Sequence, residues 1–230
     1  MNIVLLPGLD GTGLLFSRFT CALGLEFESI VVQYPKDAAL NYAEHEVIAR
    51  LSLPSTQPYI LLGESFSGPI AISIAASNPP GLAGLILCCT FARNPFPISA
   101  HFKSLLSLVP FDLIPNSFQS PFIFGRFTSR SLRAEHRAAV SQVSNDALRA
   151  RIKAIFEVDV TDKLEQITVP ALYLKASEDR IIPETASEHI RQVSPHTGIV
   201  ELEAPHLLLQ TQPLAAAELV SKFAQELSAR

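Results

Sequence analysis

Cysteine is scarce in this 230-residue chain, with three in all and two of them adjacent at Cys88 and Cys89. Three thiols with no Cys-x-x-Cys or Cys/His metal spacing exclude a disulfide framework and a zinc-binding motif, and they read as buried thiols of a reducing compartment. An excess of positive charge is also missing. A formal charge of −4 argues against a nucleic-acid binder, which needs a strongly basic face to neutralise phosphates. No apolar run approaches the ~20 residues that span a bilayer. The apolar start Asn2 to Leu6 has no basic stretch before it and is stopped by Pro7-Gly8, too early for a secretion signal. Internal repeats and low-complexity tracts are absent. The expectation is a soluble, cytoplasmic protein with no nucleic-acid partner and no transmembrane segment.

What the chain does have is apolar substance, 48% of its residues, enough for one sizeable core over residues 1–230. Nearly continuous apolar runs at Asn2 to Leu6, Ser29 to Gln33, Tyr59 to Leu62, Leu82 to Cys89, Ala171 to Lys175 and Gly198 to Leu202 read as strands. Helical stretches fall between them, near Thr12 to Leu23, Leu40 to Leu51, Phe66 to Ser77, Pro183 to Val193 and Leu214 to Leu227. Strands without alternation belong to parallel sheets covered on both faces, so the fold class is α/β, a doubly wound, mainly parallel sheet of about six strands.

From Phe91 to Ile155 the strand-helix rhythm breaks, and a Phe-, Pro- and Ser-rich segment gives way to helical patterning from about Ser131. An inserted helical cap over residues 93–157 is expected. From Phe91 to Ile155, nine Lys or Arg against three acids (Asp112, Glu135 and Asp146) give +6, leaving −10 on the remainder.

Chemistry concentrates where Tyr59 to Leu62 runs into Gly63-Glu64-Ser65-Phe66-Ser67-Gly68 and then into the apolar helix from Pro69. At a sharp strand-to-helix elbow the positions two before and two after the apex must be small. Gly63 and Ser67 meet this around Ser65, whereas a nucleophilic Ser67 would put Pro69 in the crowded place. The chain here resembles the α/β-hydrolase superfamily, whose Gly-x-Ser-x-Gly motif is matched as Gly63-x-Ser65-x-Ser67, with Gly68 one place late. Ser67 departs from the pattern, and strain or displacement is expected there.

The resemblance covers the chain from first strand to last helix and implies partners in the order serine, acid, histidine. Asp179, in Ser177-Glu178-Asp179-Arg180-Ile181-Ile182-Pro183, stands where the superfamily carries its acid, with Glu178 as its rival. His206 follows the last strand, 27 residues beyond Asp179. His189 and His196 are the rival histidines, and His45, His101 and His136 read as surface residues. The resemblance further implies an oxyanion hole from the Phe66 N–H and, in Pro7-Gly8-Leu9-Asp10-Gly11-Thr12-Gly13, the Leu9 N–H. Pro7 replaces the histidine that often opens that loop. A phosphate cradle is the competing reading of this glycine loop, but its Gly-x-x-Gly-x-Gly spacing and the absence of an acid after Val32-Gln33-Tyr34 weigh against a dinucleotide.

The implied activity is hydrolysis of a carboxylic ester or thioester through an acyl-enzyme, with no metal and no organic cofactor. The phenylalanines of the cap suit a lipophilic acyl group, and its positive charge suits an acidic acyl carrier. Two alternatives stay open. One is an acyltransferase, because the Pro7 to Gly13 loop looks like that of some plastid ester synthases; the other is a non-catalytic, ligand-binding scaffold.

Overall fold

The computed structural model describes residues 1–96 and 122–229. Strands β1 (Asn2–Leu6), β2 (Glu28–Val31), β3 (Tyr59–Glu64), β4 (Leu82–Cys88), β5 (Ala171–Ala176) and β6 (Gly198–Leu202) form one sheet. Its order is β2-β1-β3-β4-β5-β6, and every neighbouring pair is parallel. The longer helices are α1 (Ser17–Leu23), α2 (Tyr42–Leu51), α3 (Gly68–Ala76), α4 (Arg130–Val140), α5 (Asn145–Glu157), α6 (Glu184–Val193) and α7 (Pro213–Ser228).

The period-2 pleat sorts each strand into two cores. Ile3, Leu5, Ile60 and Leu62 pack with α1 and α7, while Val4, Leu6 and Leu61 pack with α2, α3 and α6. Helix α3 is buried from Gly68 to Ala75, which explains why its sequence is apolar on every side. The helix expected from Thr12 starts instead as a 3-10 turn at Leu14–Phe16, because Gly11 (φ 68°) and Gly13 (φ 73°) hold left-handed backbone just before it.

Connectivity creates the crevice. The chain leaves β1 outward to β2, then returns to β3 on the other side of β1, so the loops after β1 and β3 diverge at the carboxyl ends of adjacent strands. Between β4 and β5 the chain leaves the sheet, and residues 122–157 of this excursion hold a 3-10 turn followed by α4 and α5. Phe102, Phe111 and Phe118 lie outside the described residues. Arg18 holds Glu135 at 2.6 Å, Lys36 donates to Gln142 at 2.5 Å, and the Ser144 N–H donates to the Lys36 carbonyl at 2.8 Å, tying the excursion to the body.

Two expectations need correction. Cys88 and Cys89 are buried, but Cys21 is exposed on the short helix α1. His45 is not a surface residue: it has no exposure and packs edge-on against Tyr34 and Phe66. Among the described residues no helix is long and apolar enough to cross a membrane, and no cluster of His, Cys, Asp or Glu has the makings of a metal site.

Candidate active site

Strand β3 ends in an elbow. Ser65 has φ 49°, left-handed backbone that a non-glycine residue adopts at a cost of about 1–3 kcal/mol. The surroundings hold it there. The Thr90 hydroxyl donates to the Ser65 carbonyl, and a Cβ at Gly63 would stand 2.7 Å from the Ala71 methyl and 2.8 Å from the Ser67 carbonyl oxygen. Ser67 itself is unstrained at φ −85°. Its buried hydroxyl donates to the Pro7 carbonyl (2.5 Å) and, its one proton so used, accepts from the Tyr34 hydroxyl (2.9 Å). The strain expected at Ser67 therefore sits at Ser65. Gly68, one place later, is the position with no room, since a Cβ there would collide with the Thr90 side chain.

Loops after β5 and β6 bring the other predicted residues to the elbow. Ser65 Oγ lies 2.9 Å from His206 Nε2, and His206 Nδ1 lies 2.8 Å from Asp179 Oδ2. The other Asp179 oxygen accepts the N–H groups of Ile181 (2.8 Å) and Ile182 (2.9 Å), which fixes the carboxylate. An ionised carboxylate only accepts, so the proton between this pair resides on Nδ1 and the Nε2 lone pair faces the serine. Only 8% of the His206 side chain and 7% of the Asp179 side chain are exposed. Burial disfavours charging of His206, yet the Asp179 charge and hydrogen bond, with Glu64, outweigh it and raise the imidazole above 6.5. Such a pair can take a proton from Ser65 and hold the resulting imidazolium.

The rivals lie elsewhere. Glu178 is bonded to Arg126 (2.7 Å), His189 pairs with Thr161 (3.1 Å), His196 pairs with Ser194 (3.2 Å), and His136 stands edge-on to Phe124. His101 is outside the described residues.

Leu9 lies in the loop after β1, directly beside the elbow: a Cβ on Gly8 would be 3.8 Å from Ser65 Cβ. The Leu9 N–H makes no backbone hydrogen bond among the described residues. Phe66 is the second residue of the helical turn Ser65–Ser67, where the first N–H groups have no intrahelical acceptor. Its ring stacks on Tyr42 at 4.7 Å, and the Tyr42 hydroxyl donates to its carbonyl at 3.0 Å.

Sequence reading passed over Glu64. This carboxyl, 3% exposed, accepts from Gln210 Nε2 at 2.9 Å and faces the Gly8 N–H. Burial pushes it up to about 7, against the Gln210 hydrogen bond that lowers it. An acid closing an otherwise apolar strand was the available signal.

With the geometry in place, the comparisons decide the family. Residues 3–219 match the model of the alpha/beta hydrolase family. The chain belongs to this family. Relatives of this alpha/beta hydrolase include the "Putative carbamate hydrolase RutD" of Pseudomonas savastanoi pv. phaseolicola, 23% identical over 92% of this chain and 89% of that one. The pimeloyl-acyl-carrier protein methyl ester esterase of Vibrio parahaemolyticus is 24% identical over 98% of this chain and 94% of its own. Among solved structures, the enol-lactonase of Burkholderia xenovorans LB400 superposes with a TM-score of 0.83 at 18% identity, covering 97% of this chain and 91% of that one, a likeness of fold.

Proposed function

We propose that this alpha/beta hydrolase cleaves a carboxylic ester or thioester of a lipophilic acyl substrate, with Ser65 as nucleophile, His206 as general base and acid, and Asp179 as the orienting carboxylate. The observation that carries this is the unbroken chain Ser65 Oγ to His206 Nε2 (2.9 Å) and His206 Nδ1 to Asp179 Oδ2 (2.8 Å), starting from a strained serine. Ser65 Oγ attacks the carbonyl carbon as its proton passes to Nε2, and the oxygen that becomes negative takes hydrogen bonds from the Leu9 and Phe66 N–H groups. Collapse expels the alcohol or thiol, which leaves with the proton from Nε2. Water then repeats the sequence on the acyl-enzyme and frees the acid and Ser65.

The lipophilic preference is supported by residues 93–157, which we take as the cap. Its Phe124, Ile123 and Leu132 cluster with Leu207, the neighbour of His206. Fluorophosphonate should label the wild type and not Ser65→Ala, with both folded. An unlabelled, folded wild type would leave a ligand-binding scaffold in place of an enzyme. Product analysis with added alcohol separates hydrolysis from transfer to the alcohol.

A second reading concerns the form in which the substrate arrives. Arg130, Arg133 and Arg137 are exposed at i, i+3 and i+7 on α4, one face of the helix, and none is within ion-pair distance of a carboxylate among the described residues. Such a face suits an acidic acyl carrier. Arg133→Glu with Arg137→Glu should raise KM for a carrier-linked ester at least about tenfold at low salt while sparing a small free ester. Equal effects on both substrates would remove the docking role.

A further inference from the structure

A trans peptide plane points its C=O and its N–H in opposite directions, so whatever holds the oxygen also aims the hydrogen. In the loop after β1 the successive planes are all held. The Pro7 carbonyl accepts from the Ser67 hydroxyl, and the Gly8 N–H of that same plane faces Glu64. The Gly8 carbonyl accepts from the Gly11 N–H at 3.0 Å, which leaves the Leu9 N–H open on the far side of its plane. The next two carbonyls, those of Leu9 and Asp10, both accept from one nitrogen, Arg151 Nη1, at 2.9 and 2.8 Å. The plane with the open N–H is thus clamped between planes fixed by side chains from distant parts of the sequence.

Arg151 reaches this loop from helix α5 in the excursion between β4 and β5, and it has no exposed surface. Its other terminal nitrogen donates to the Pro35 carbonyl at 2.8 Å. All three partners are neutral oxygens, and no carboxylate lies within ion-pair distance of it among the described residues. Burying a guanidinium costs several kcal/mol that a leucine or methionine would not incur if α5 needed only packing. The loop is shaped to receive it. A Cβ on Gly11 would stand 2.6 Å from Nη1, and that residue also holds φ 68°. Asp10 completes the fit by folding its carboxylate onto the Thr12 N–H at 2.7 Å, a local turn that leaves its carbonyl to Arg151.

We propose that Arg151 is a positioning residue of the oxyanion hole, a cap-borne fork that fixes the Leu9 and Asp10 carbonyls and thereby keeps the Leu9 N–H aimed at the oxygen where charge develops. This rests on the reading of Ser65 as nucleophile and Leu9 as donor. It makes the cap part of the catalytic geometry as well as a cover for substrate.

The test compares wild type, Arg151→Lys and Arg151→Met on a p-nitrophenyl ester, and measures binding of a trifluoromethyl ketone against that of the matching secondary alcohol. The ketone forms an oxyanion on Ser65 and the alcohol does not. Arg151→Met should lower kcat about 10- to 100-fold with KM within about twofold. Ketone affinity should fall by the same factor and alcohol affinity should hold, with Arg151→Lys between. Should Arg151→Met not fold, Arg151→Lys carries the same comparison. Parallel loss of ketone and alcohol affinity, or a change in KM alone, would reduce Arg151 to a structural tie and overturn the proposal. Failure of the nucleophile reading looks different: the wild type itself would neither turn over the ester nor take up fluorophosphonate, and both readings would fall together.

Discussion

The two halves of the candidate site are held by different means. On the acid-base side the carboxylate is held locally and between the adjacent loops after β5 and β6, with only the Ser65–His206 contact spanning 141 residues: Asp179 accepts N–H groups two and three residues on, and the Glu178 N–H donates to the Ala204 carbonyl at 2.9 Å. On the proposed oxyanion side the loop after β1 is held by Ser67, 60 residues away, and by Arg151, 142 residues away. A short-range network forms whenever its strands do. A long-range one exists only when separate parts of the fold have docked, so it ties the loop after β1 to α5.

The sharpest way to break the acid-base half is Asp179→Asn. It should cut kcat by about 10³ to 10⁴, because an amide no longer holds Nδ1 protonated or balances the imidazolium. Glu178→Gln, beside it, should change kcat less than about threefold. If Glu178→Gln were the damaging substitution, the acid would be misassigned.

A smaller effect sharpens the link between the halves, since Glu64 faces the Gly8 N–H on one side and acts on His206 on the other. In the proposed mechanism His206 is the base and works only when neutral, so kcat/KM should rise with pH through a value above 6.5. Glu64→Gln removes a negative charge that raises His206, and the acid limb should move to lower pH. Stability gives an independent reading. A carboxyl raised in the folded state keeps its proton after the unfolded chain has lost its own, so the stability it confers is present below 4.5 and lost as pH rises to about 7. Glu64→Gln should therefore flatten the fall in unfolding free energy across that window by at most about 3 kcal/mol, as measured by denaturant titration at several pH values. An unchanged slope would show that Glu64 titrates normally.

Much of the fold was legible because buried parallel strands leave an unmistakable mark. Val4-Leu5-Leu6 and Ile60-Leu61-Leu62 are apolar on both faces, and β1 and β6 have the bounds that their residues predict. Residues that the fold brings together around Ser65 could be named because the family resemblance pointed to the loops that follow such strands. Arg151 could not. In the sequence it is one of nine cations in a basic segment, and the only hint is its place on a helical stripe with the buried Ala147 and Ala154. His45 and Cys21 were misread for the same reason, since exposure is set by what packs on a helix and not by the helix's own residues.

The sequence by itself determined the parallel α/β sheet and the elbow at Ser65, because strand burial and turn sterics act over a few residues, while Asp179 and His206 were reached through the family resemblance. Only the tertiary structure decided that the Ser67 hydroxyl braces the loop after β1 and is not a flaw in the motif, and that Arg151 of α5 holds the next two carbonyls of that loop. Those roles depend on which carbonyl oxygens a side chain can reach across 60 or more residues of chain, and no local pattern encodes that.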